Sequence, residues 1–362
     1  MANTEQVLEY KCPCCDAPLK FGLEQQKMVC EYCDNTFEME AVIDYNKQFQ
    51  VPETPENEWE TPQSKTWTQE EQENICTYTC PSCGGELIAD ANTAATFCPF
   101  CDNPAVIQGR VSGGIKPDKV LPFKKSKEEA QQAFRDLCKG KPLLPKGFSS
   151  DVRVEKITGM YVPFWLYNCT GKIDAHYKAT RVSHWSDRMY DYTRTDHYSV
   201  HRSGVGEFCL IPMDASKKLS DVIMESIEPY DYSQMVDFDT AYLSGYFADK
   251  YDVEAEAGYG RIKQRVDATM DAEVAKHNGG YTTCVPVSKN IRVEHGNAEY
   301  VLLPAWMLYT RYKDQTYVFA MNGQTGKITG SFPICPKQSA KWFTIVAAAA
   351  TLVGALVQLL LL

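Results

Sequence analysis

The chain has 362 residues, 44% of them hydrophobic and 23% charged, and a formal net charge of -10. This composition can bury a sizeable core and excludes a mainly disordered chain. The negative charge lies at the start, since residues 1–110 carry 6 Lys and Arg against 19 Asp and Glu, while residues 111–341 carry 31 against 28.

The first residues contain no apolar run of the kind found in a secretory signal, so we expect the N-terminus to lie in the cytoplasm. Ten of the fifteen cysteines come before residue 102. In a reducing compartment, clustered cysteines bind metal more often than they form disulfides. The N-terminal third is therefore predicted to bind metal.

Two Cys-x-x-Cys pairs separated by fourteen residues occur twice, and the two blocks match at an offset of 68 residues. The predicted ligands are Cys12, Cys15, Cys30 and Cys33 in the first block and Cys80, Cys83, Cys98 and Cys101 in the second. Four thiolates form a closed tetrahedral shell, which predicts two structural zinc ions (Zn) and no open position for a substrate. Iron suits the same shell, and the sequence alone does not distinguish the two metals.

The two blocks resemble zinc ribbons of the transcription-factor-IIB type, with Cys12-Pro13-Cys14-Cys15 and Cys80-Pro81-Ser82-Cys83 as their first knuckles. Cys14 and Cys76 do not fit the repeat and are interpreted as spare thiols. Many such ribbons bind nucleic acid, but phosphate binding needs a Lys- and Arg-rich surface, and this segment is acidic. Protein partners are therefore predicted rather than nucleic acid.

Composition divides the chain further. Residues 1–44 and 76–110 are the predicted ribbons, and a linker rich in Pro and Glu at 45–75 is predicted to be an extended tether. Residues 111–150 are predicted to form a basic connector with a helix from Ser126 to about Lys139.

Residues 151–336 alternate apolar and polar side chains and are interrupted by helical stretches, which predicts an α+β domain built mainly on antiparallel strands. Trp165 and Trp306 occur in two similar segments, and both side chains are predicted to pack in the core. The stretch 322–327 resembles part of a phosphate loop but lacks its first Gly and its Ser or Thr. A hairpin turn with positive φ at Asn322 and Gly323 is predicted instead.

No complete catalytic motif occurs, so no enzyme is predicted, and helicase activity is not expected. His197 and His201 would share one face of a strand, which offers an alternative metal site beside the simpler interpretation as polar residues of an exposed hairpin.

The C-terminal residues 342–362 carry no charge and, at 1.5 Å per residue, match a hydrocarbon core of about 30 Å. They are predicted to form a transmembrane tail anchor. Lys337 and Lys341 precede this segment, which places the remainder on the cytoplasmic side of a single-pass protein. Small residues at 350 and 354 leave helix packing into a homo-oligomer open as an alternative to simple anchoring.

The order of two ribbons, Tyr161-Val162-Pro163-Phe164-Trp165, Leu303-Pro304-Ala305-Trp306 and the apolar tail resembles the YdjG-like bacterial zinc-ribbon membrane proteins. This resemblance implies a cytoplasmic-membrane location and an adaptor role in membrane-stress systems that contain flotillin-like or phage-shock-type proteins. Some of these proteins are labelled primosomal helicases because of their ribbons, and the absence of a nucleotide-binding loop argues against that label here.

Three functions follow as expectations. The first is a tail-anchored adaptor whose ribbons recruit protein partners at the bacterial membrane. The second is a membrane-tethered nucleic-acid-binding protein that uses the basic residues 116–146. The third is an enzyme in the β-rich domain.

Overall fold

The computed structural model describes residues 10–23, 25–47, 59–60, 65–90, 97–101, 103, 107–110, 115–145, 147–148, 154, 156–313 and 315–360. These residues belong to two compact units, each built from separated stretches of chain. The first unit comprises Met1–Glu60, Asn168–Cys209 and Tyr259–Asn297, and the second comprises Thr61–Tyr167, Leu210–Gly258 and Ala298–Leu362. Three of the five boundaries between these stretches fall within the long strands Thr158–Ser186, Asp191–Asp214 and Thr283–Tyr312.

The strands of the described residues are β1 Lys20–Gly22, β2 Lys27–Val29, β3 Thr36–Phe37, β4 Ile75–Thr79, β5 Glu86–Asp90, β6 Ile107–Arg110, β7 Lys119–Val120, β8 Thr158–Ser186, β9 Asp191–Asp214, β10 Val236–Asp237, β11 Phe247–Asp249, β12 Thr283–Tyr312, β13 Gln315–Asn322 and β14 Ile328–Gly330. The α-helices are α1 Met39–Lys47, α2 Gln69–Asn74, α3 Lys127–Cys138, α4 Asp221–Ser226, α5 Tyr259–Lys276 and α6 Pro336–Leu360. Short 3-10 helices occur at Tyr232–Gln234, Thr240–Leu243 and Ala255–Gly258.

In the first unit, β1, β2 and β3 form a small antiparallel sheet, and β9 pairs with β8. Helix α5 buries Ile262, Val266 and Met270, which recur at intervals of four residues and so lie on one helix face. Glycines of the strands face this helix, since a Cβ at Gly171 would come within 2.9 Å of Val266 and one at Gly206 within 3.0 Å of Met270. The absence of side chains at these glycines lets the helix lie close to the strands.

Part of the predicted linker packs within the first unit. The ring of Trp59 stacks on Tyr259 at a centroid distance of 4.4 Å, and the Glu60 N–H donates to the Gly296 carbonyl at 2.6 Å. Residues 48–58 and 61–64 of the linker lie outside the described residues. Trp59 is therefore a packing residue of its own chain at this position.

In the second unit, the strand order is β10-β7-β12-β8-β11-β5-β4-β6, and β13 pairs with both β12 and β14. Most of these pairings are antiparallel, whereas β7 with β12 and β8 with β11 are parallel. The prediction of a β-rich domain with helices is confirmed for this unit.

The core of the second unit is rich in aromatic side chains, and both predicted tryptophans belong to it. Trp165 is 1% exposed and donates its indole N–H to the Val253 carbonyl at 2.8 Å. Trp306 is 6% exposed and donates to the Lys125 carbonyl at 2.9 Å. Each buried indole N–H thus has a partner, which removes the cost of burying an unpaired donor.

Helix α3 begins where the sequence predicts it. The Ser126 hydroxyl accepts from the Glu129 N–H at 3.2 Å, and the Glu129 carboxylate accepts from the Ser126 N–H at 2.8 Å. This reciprocal capping box satisfies two of the N–H groups that a helix start leaves unpaired. The helix buries Ala130, Phe134 and Cys138.

The stretch 322–327 forms the turn between β13 and β14, so the predicted hairpin is confirmed. The Asn322 N–H donates to the Lys327 carbonyl at 2.8 Å, and the Gly326 N–H donates to Asn322 at 2.9 Å. The residue with positive φ is Gly326, at +81°, and not Asn322 or Gly323. The buried Asn322 side chain accepts from the N–H groups of Gln324 and Thr325 inside the turn.

The predicted transmembrane tail anchor at 342–362 is wrong, and with it the predicted membrane location. Among the described residues, no helix combines the length and the apolar character that a membrane crossing requires. Helix α6 starts at Pro336, and Lys337 and Lys341 lie in its first two turns. Residues 361–362 lie outside the described residues.

Candidate metal centres

The eight predicted cysteine ligands form two groups of four. In each group the four sulfur atoms lie within 4.8 Å of one another, with Cys12, Cys15, Cys30 and Cys33 in the first and Cys80, Cys83, Cys98 and Cys101 in the second. We call the first group site 1, in the ribbon of β1, β2 and β3, and the second group site 2, in the ribbon of β4, β5 and β6.

The sulfur separations match a tetrahedral ion. In site 1, the Cys12 and Cys33 sulfurs are 3.7 Å apart, and the Cys15 and Cys30 sulfurs are 3.4 Å apart. In site 2, both the Cys80–Cys101 and the Cys83–Cys98 separations are 3.6 Å. Zinc with Zn–S bonds of about 2.3 Å would place its ligands about 3.8 Å apart. Two structural zinc ions therefore fit the donor sets, one in each group.

The first Cys-x-x-Cys knuckles of the two ribbons have the same backbone hydrogen bonds. The Cys12 N–H donates to the Ala17 carbonyl at 2.8 Å, and the Asp16 N–H donates to the Cys12 carbonyl at 3.0 Å. The same two bonds recur 68 residues later, from Cys80 to Gly85 and from Gly84 to Cys80, each at 2.9 Å. The turn position has positive φ in both copies, +59° at Asp16 and +68° at Gly84. Glycine and aspartate tolerate this conformation better than most residues, so the repeat conserves a geometric requirement.

The pKa values of the cysteines in site 1 show why a cation is needed to keep all four thiols ionised. Burial raises the pKa of Cys12 to about 11. The Ala17 N–H favours the Cys15 thiolate, but burial and the neighbouring thiols raise the Cys15 pKa to about 12. Burial also opposes ionisation of Cys33, yet N–H groups of Asn35 and the neighbouring thiols lower its pKa to about 7. Without a cation, ionisation is concentrated on one thiol because like charges repel at this distance.

In site 2, too, the pKa of one cysteine is lowered while those of others are raised. Burial opposes ionisation of Cys80, but N–H groups of Cys83 and Ser82 and the nearby thiols lower its pKa to about 7. Burial raises the pKa of Cys98 and that of Cys83. A divalent ion would stabilise all four thiolates, and four thiolates leave no position for a substrate.

The ribbons differ in how they are anchored. In the first unit, Lys178 of β8 forms an ion pair with Asp16 in the knuckle of site 1 and lies 5.8 Å from the ring of Tyr45 in α1. In the second unit, β5 pairs with β11, and Cys80, Cys98 and Phe100 belong to the buried core. Site 2 is thus part of a hydrophobic core, whereas the ribbon of site 1 has its own small sheet.

The remaining cysteines near the ribbons stay outside both groups. Cys14 contributes its backbone N–H to the Cys12 sulfur at 3.4 Å, and the Cys76 sulfur accepts from the Gln108 side chain at 3.1 Å. Neither belongs to a described metal-ligating group. The interpretation of both residues as spare thiols stays a prediction.

The alternative metal pair His197 and His201 is not brought together in a described ligand group. His201 instead lies with Asp174 and His176 of β8, and the ligand atoms of these three residues are within 4.8 Å of one another. Burial and the neighbouring His201 lower the pKa of His176. Asp174 and His176 were not predicted as ligands, although their Asp-x-His spacing on a predicted strand places both on one face.

Comparison with known proteins identifies one relative. The chain is 36% identical over 336 aligned positions to the uncharacterized protein YdjG of Bacillus subtilis (strain 168), with 79% of this chain and 98% of that relative covered. No protein-family model and no solved structure matches the chain. On the extent and identity of that match, the chain belongs to the YdjG family.

Proposed function

We propose that the chain is a zinc-ribbon adaptor, in which the site 1 ribbon binds a protein partner and the site 2 ribbon stabilises the second unit. The observation that carries this proposal is the exposed apolar surface of the first ribbon. Leu23 is 80% exposed, Tyr32 is 75% exposed and Phe21 is 40% exposed. A ribbon this small has little core to form, so these side chains are available for contact with another protein.

The second ribbon buries more of its apolar side chains, although Ile107 of β6 is 63% exposed. Cys80, Leu87 and Phe100 are buried in the core of the second unit. Phe100 packs edge-on against Tyr309 at 6.2 Å. A ribbon whose apolar side chains are already used inside the fold supports a structural role for its metal ion.

Charge supports a protein partner over nucleic acid. Residues 1–110 have a net charge of -13. In the first ribbon, Lys20 forms an ion pair with Glu31 at 2.7 Å, and Lys27 forms one with Glu38 at 2.6 Å. These pairs reduce the cationic surface available to phosphate groups.

Part of the basic stretch 116–146 is also paired with carboxylates. Its lysines contact carboxylates in four ion pairs, which are Lys116 with Glu71, Lys119 with Glu299, Lys125 with Glu129 and Lys139 with Asp136. A lysine that already has a carboxylate partner adds less to a phosphate-binding surface. Nucleic-acid binding is therefore the competing hypothesis, and it is tested separately below.

The test is site-specific photocrosslinking in intact cells. A photoreactive residue at Tyr32 is expected to capture a discrete protein, and Leu23→Glu should abolish that capture. A matched control places the same photoreactive residue at Val205, which is 66% exposed and lies in the same unit but outside the ribbon. Flotillin-like and phage-shock-type proteins are the predicted partner classes. Equal capture from both positions, or capture unaffected by Leu23→Glu, would contradict the proposal.

The nucleic-acid function is tested on the purified zinc-loaded protein. Binding to random duplex and single-stranded DNA is measured by fluorescence anisotropy as salt is raised from low ionic strength. We expect no binding even at the lowest salt. Binding that weakens steeply with salt would replace the adaptor proposal with a nucleic-acid function.

A further inference from the structure

A third group of ligand atoms lies in the first unit, away from the cysteines. Asp174 and His176 belong to β8, and His201 belongs to the paired strand β9. The His176 Nε2 lies 3.3 Å from Asp174 Oδ1, and the His201 Nε2 lies 3.0 Å from Asp174 Oδ2. One carboxylate therefore faces two imidazole nitrogens.

The two imidazole rings are held in a defined arrangement. They stack with centroids 4.4 Å apart and an angle of 11° between their planes. His176 is the more buried partner, with 14% of its side chain exposed, while His201 and Asp174 are half-exposed. Burial holds the His176 ring in place, while the half-exposed His201 and Asp174 keep the group accessible from solvent.

We propose that Asp174, His176 and His201 bind a divalent first-row transition-metal ion through two imidazole nitrogens and one carboxylate oxygen. Imidazole and carboxylate together suit zinc, nickel and copper. Three protein ligands leave at least one coordination position for water or a small anion. This site would differ in kind from the closed four-thiolate sites.

The affinity is expected to be far weaker than that of the ribbons. Metal-binding histidines usually donate their second ring N–H to a carboxylate or carbonyl, which orients the ring. Within the described residues, the buried Nδ1 of His176 has no hydrogen-bond partner. The third ion should therefore be removable by a mild chelator that leaves the two ribbon ions in place.

Zinc itself is the probe for the first experiment. The full chain with both ribbons loaded is dialysed against buffered free zinc, and bound metal is counted by mass spectrometry. We expect a third equivalent in the wild type and at least about tenfold weaker binding of that equivalent in Asp174→Asn and His201→Gln. The matched control His197→Gln, on the same strand but outside the group, should keep it.

Two results would overturn the site. One is a wild type that stops at two equivalents, and the other is a third equivalent that persists in Asp174→Asn and His201→Gln. Either would mean that the three residues form only a hydrogen-bonded cluster.

A second measurement does not depend on any variant folding. In the wild-type protein, zinc added beyond two equivalents should shift the imidazole NMR signals of His176 and His201. The signals of His184 and His277 should stay in place. Shifts spread equally over all histidines, or no shift at all, would contradict the proposal.

Discussion

At the scale of single residues, the most informative carboxyl group is Asp249. It ends β11, has no exposed surface, and accepts a hydrogen bond from the Ser216 hydroxyl at 2.5 Å. Its other oxygen has no hydrogen-bond partner among the described residues. Burial raises the pKa of Asp249 to about 7. The folded protein therefore holds this proton to a higher pH than the unfolded chain does.

This shift predicts how Asp249→Asn changes stability with pH. Because the folded pKa is raised, the wild type binds more protons than its unfolded state between about pH 4 and 7, and its free energy of unfolding falls as pH rises through that window. Asn stays neutral and can still accept from Ser216. The variant should match the wild type near pH 4 and exceed it by roughly 2–4 kcal/mol above pH 7, measured by urea denaturation.

A control separates this effect from acid release of metal. Asp187 accepts from the N–H groups of Met189 and Tyr190, and these bonds lower its pKa. Asp187→Asn should therefore lose stability at neutral pH relative to acid, the opposite sign. Parallel pH curves for wild type and Asp249→Asn would contradict the assignment.

The cysteine ligands predict a steep pH dependence of zinc binding. The pKa values of Cys12 and Cys15 are raised to about 11 and 12, so both are protonated at neutral pH without metal. Zinc must displace at least these two protons from site 1. The apparent affinity should fall by at least about a hundredfold for each unit that pH drops near 7.

The measurement is competition with a zinc chelator of known affinity between pH 6.5 and 8. Calorimetry in buffers of different ionisation enthalpy counts the released protons independently. A slope below tenfold per pH unit, or release of fewer than two protons per ion, would show that the thiols are already ionised.

At the scale of elements, the two ribbons share a sequence repeat but have different surroundings. The first ribbon forms a sheet of its own, whereas β5 of the second pairs with β11 through Ile88 and Leu87. The spacing of cysteines specifies the knuckles, because each needs only local backbone geometry. The strand that joins the second ribbon to a core lies more than 150 residues further along the chain, so no local pattern predicts it.

This difference predicts unequal effects of removing a ligand. Cys98→Ser should destabilise the second unit by on the order of 5 kcal/mol, because metal binding there is coupled to folding of a core. Cys30→Ser should release one metal ion and unfold the first ribbon alone. Thermal denaturation and limited proteolysis distinguish the two outcomes. Equal losses of stability in both variants would contradict the separate roles.

Helix α6 shows where a composition argument fails at the element scale. Counting uncharged residues from Trp342 predicts a membrane-spanning helix, whereas none of the described helices meets the requirements for one. Helix α3 shows the opposite case, since Ser126 and Glu129 specify its start through bonds within four residues. The capped start of α3 can be predicted from the sequence because its hydrogen bonds join residues three positions apart.

At the scale of the whole molecule, charge and metal content belong together. The acidic residues 1–110 include both cysteine groups, and each zinc ion with four thiolates adds about two negative charges. Zinc and iron both suit such a shell. The identity and number of bound ions are therefore the first property to measure on the intact chain.

We expect the purified protein to carry two zinc ions per chain. Native mass spectrometry should give the mass of the 40.8 kDa chain plus two zinc ions, and the protein should be colourless. Cys138→Ser removes a buried thiol outside both groups and should retain both ions. Red colour from iron–thiolate absorption, or fewer than two ions in the wild type, would contradict the zinc assignment.

The ligand sets of the two ribbons and the capped start of α3 follow from the sequence alone, because both depend on residues a few positions apart whose chemistry dictates the local backbone. By contrast, the contact of His201 with Asp174, the stack of Trp59 on Tyr259 and the hydrogen bond of Ser216 to Asp249 each join residues 27 or more positions apart. These contacts depend on strand pairing and packing. Pairing and packing determine which side chains come into contact and which carboxyl group is buried away from water. For this reason the two cysteine groups could be predicted, whereas the meeting of Asp174, His176 and His201 required the fold.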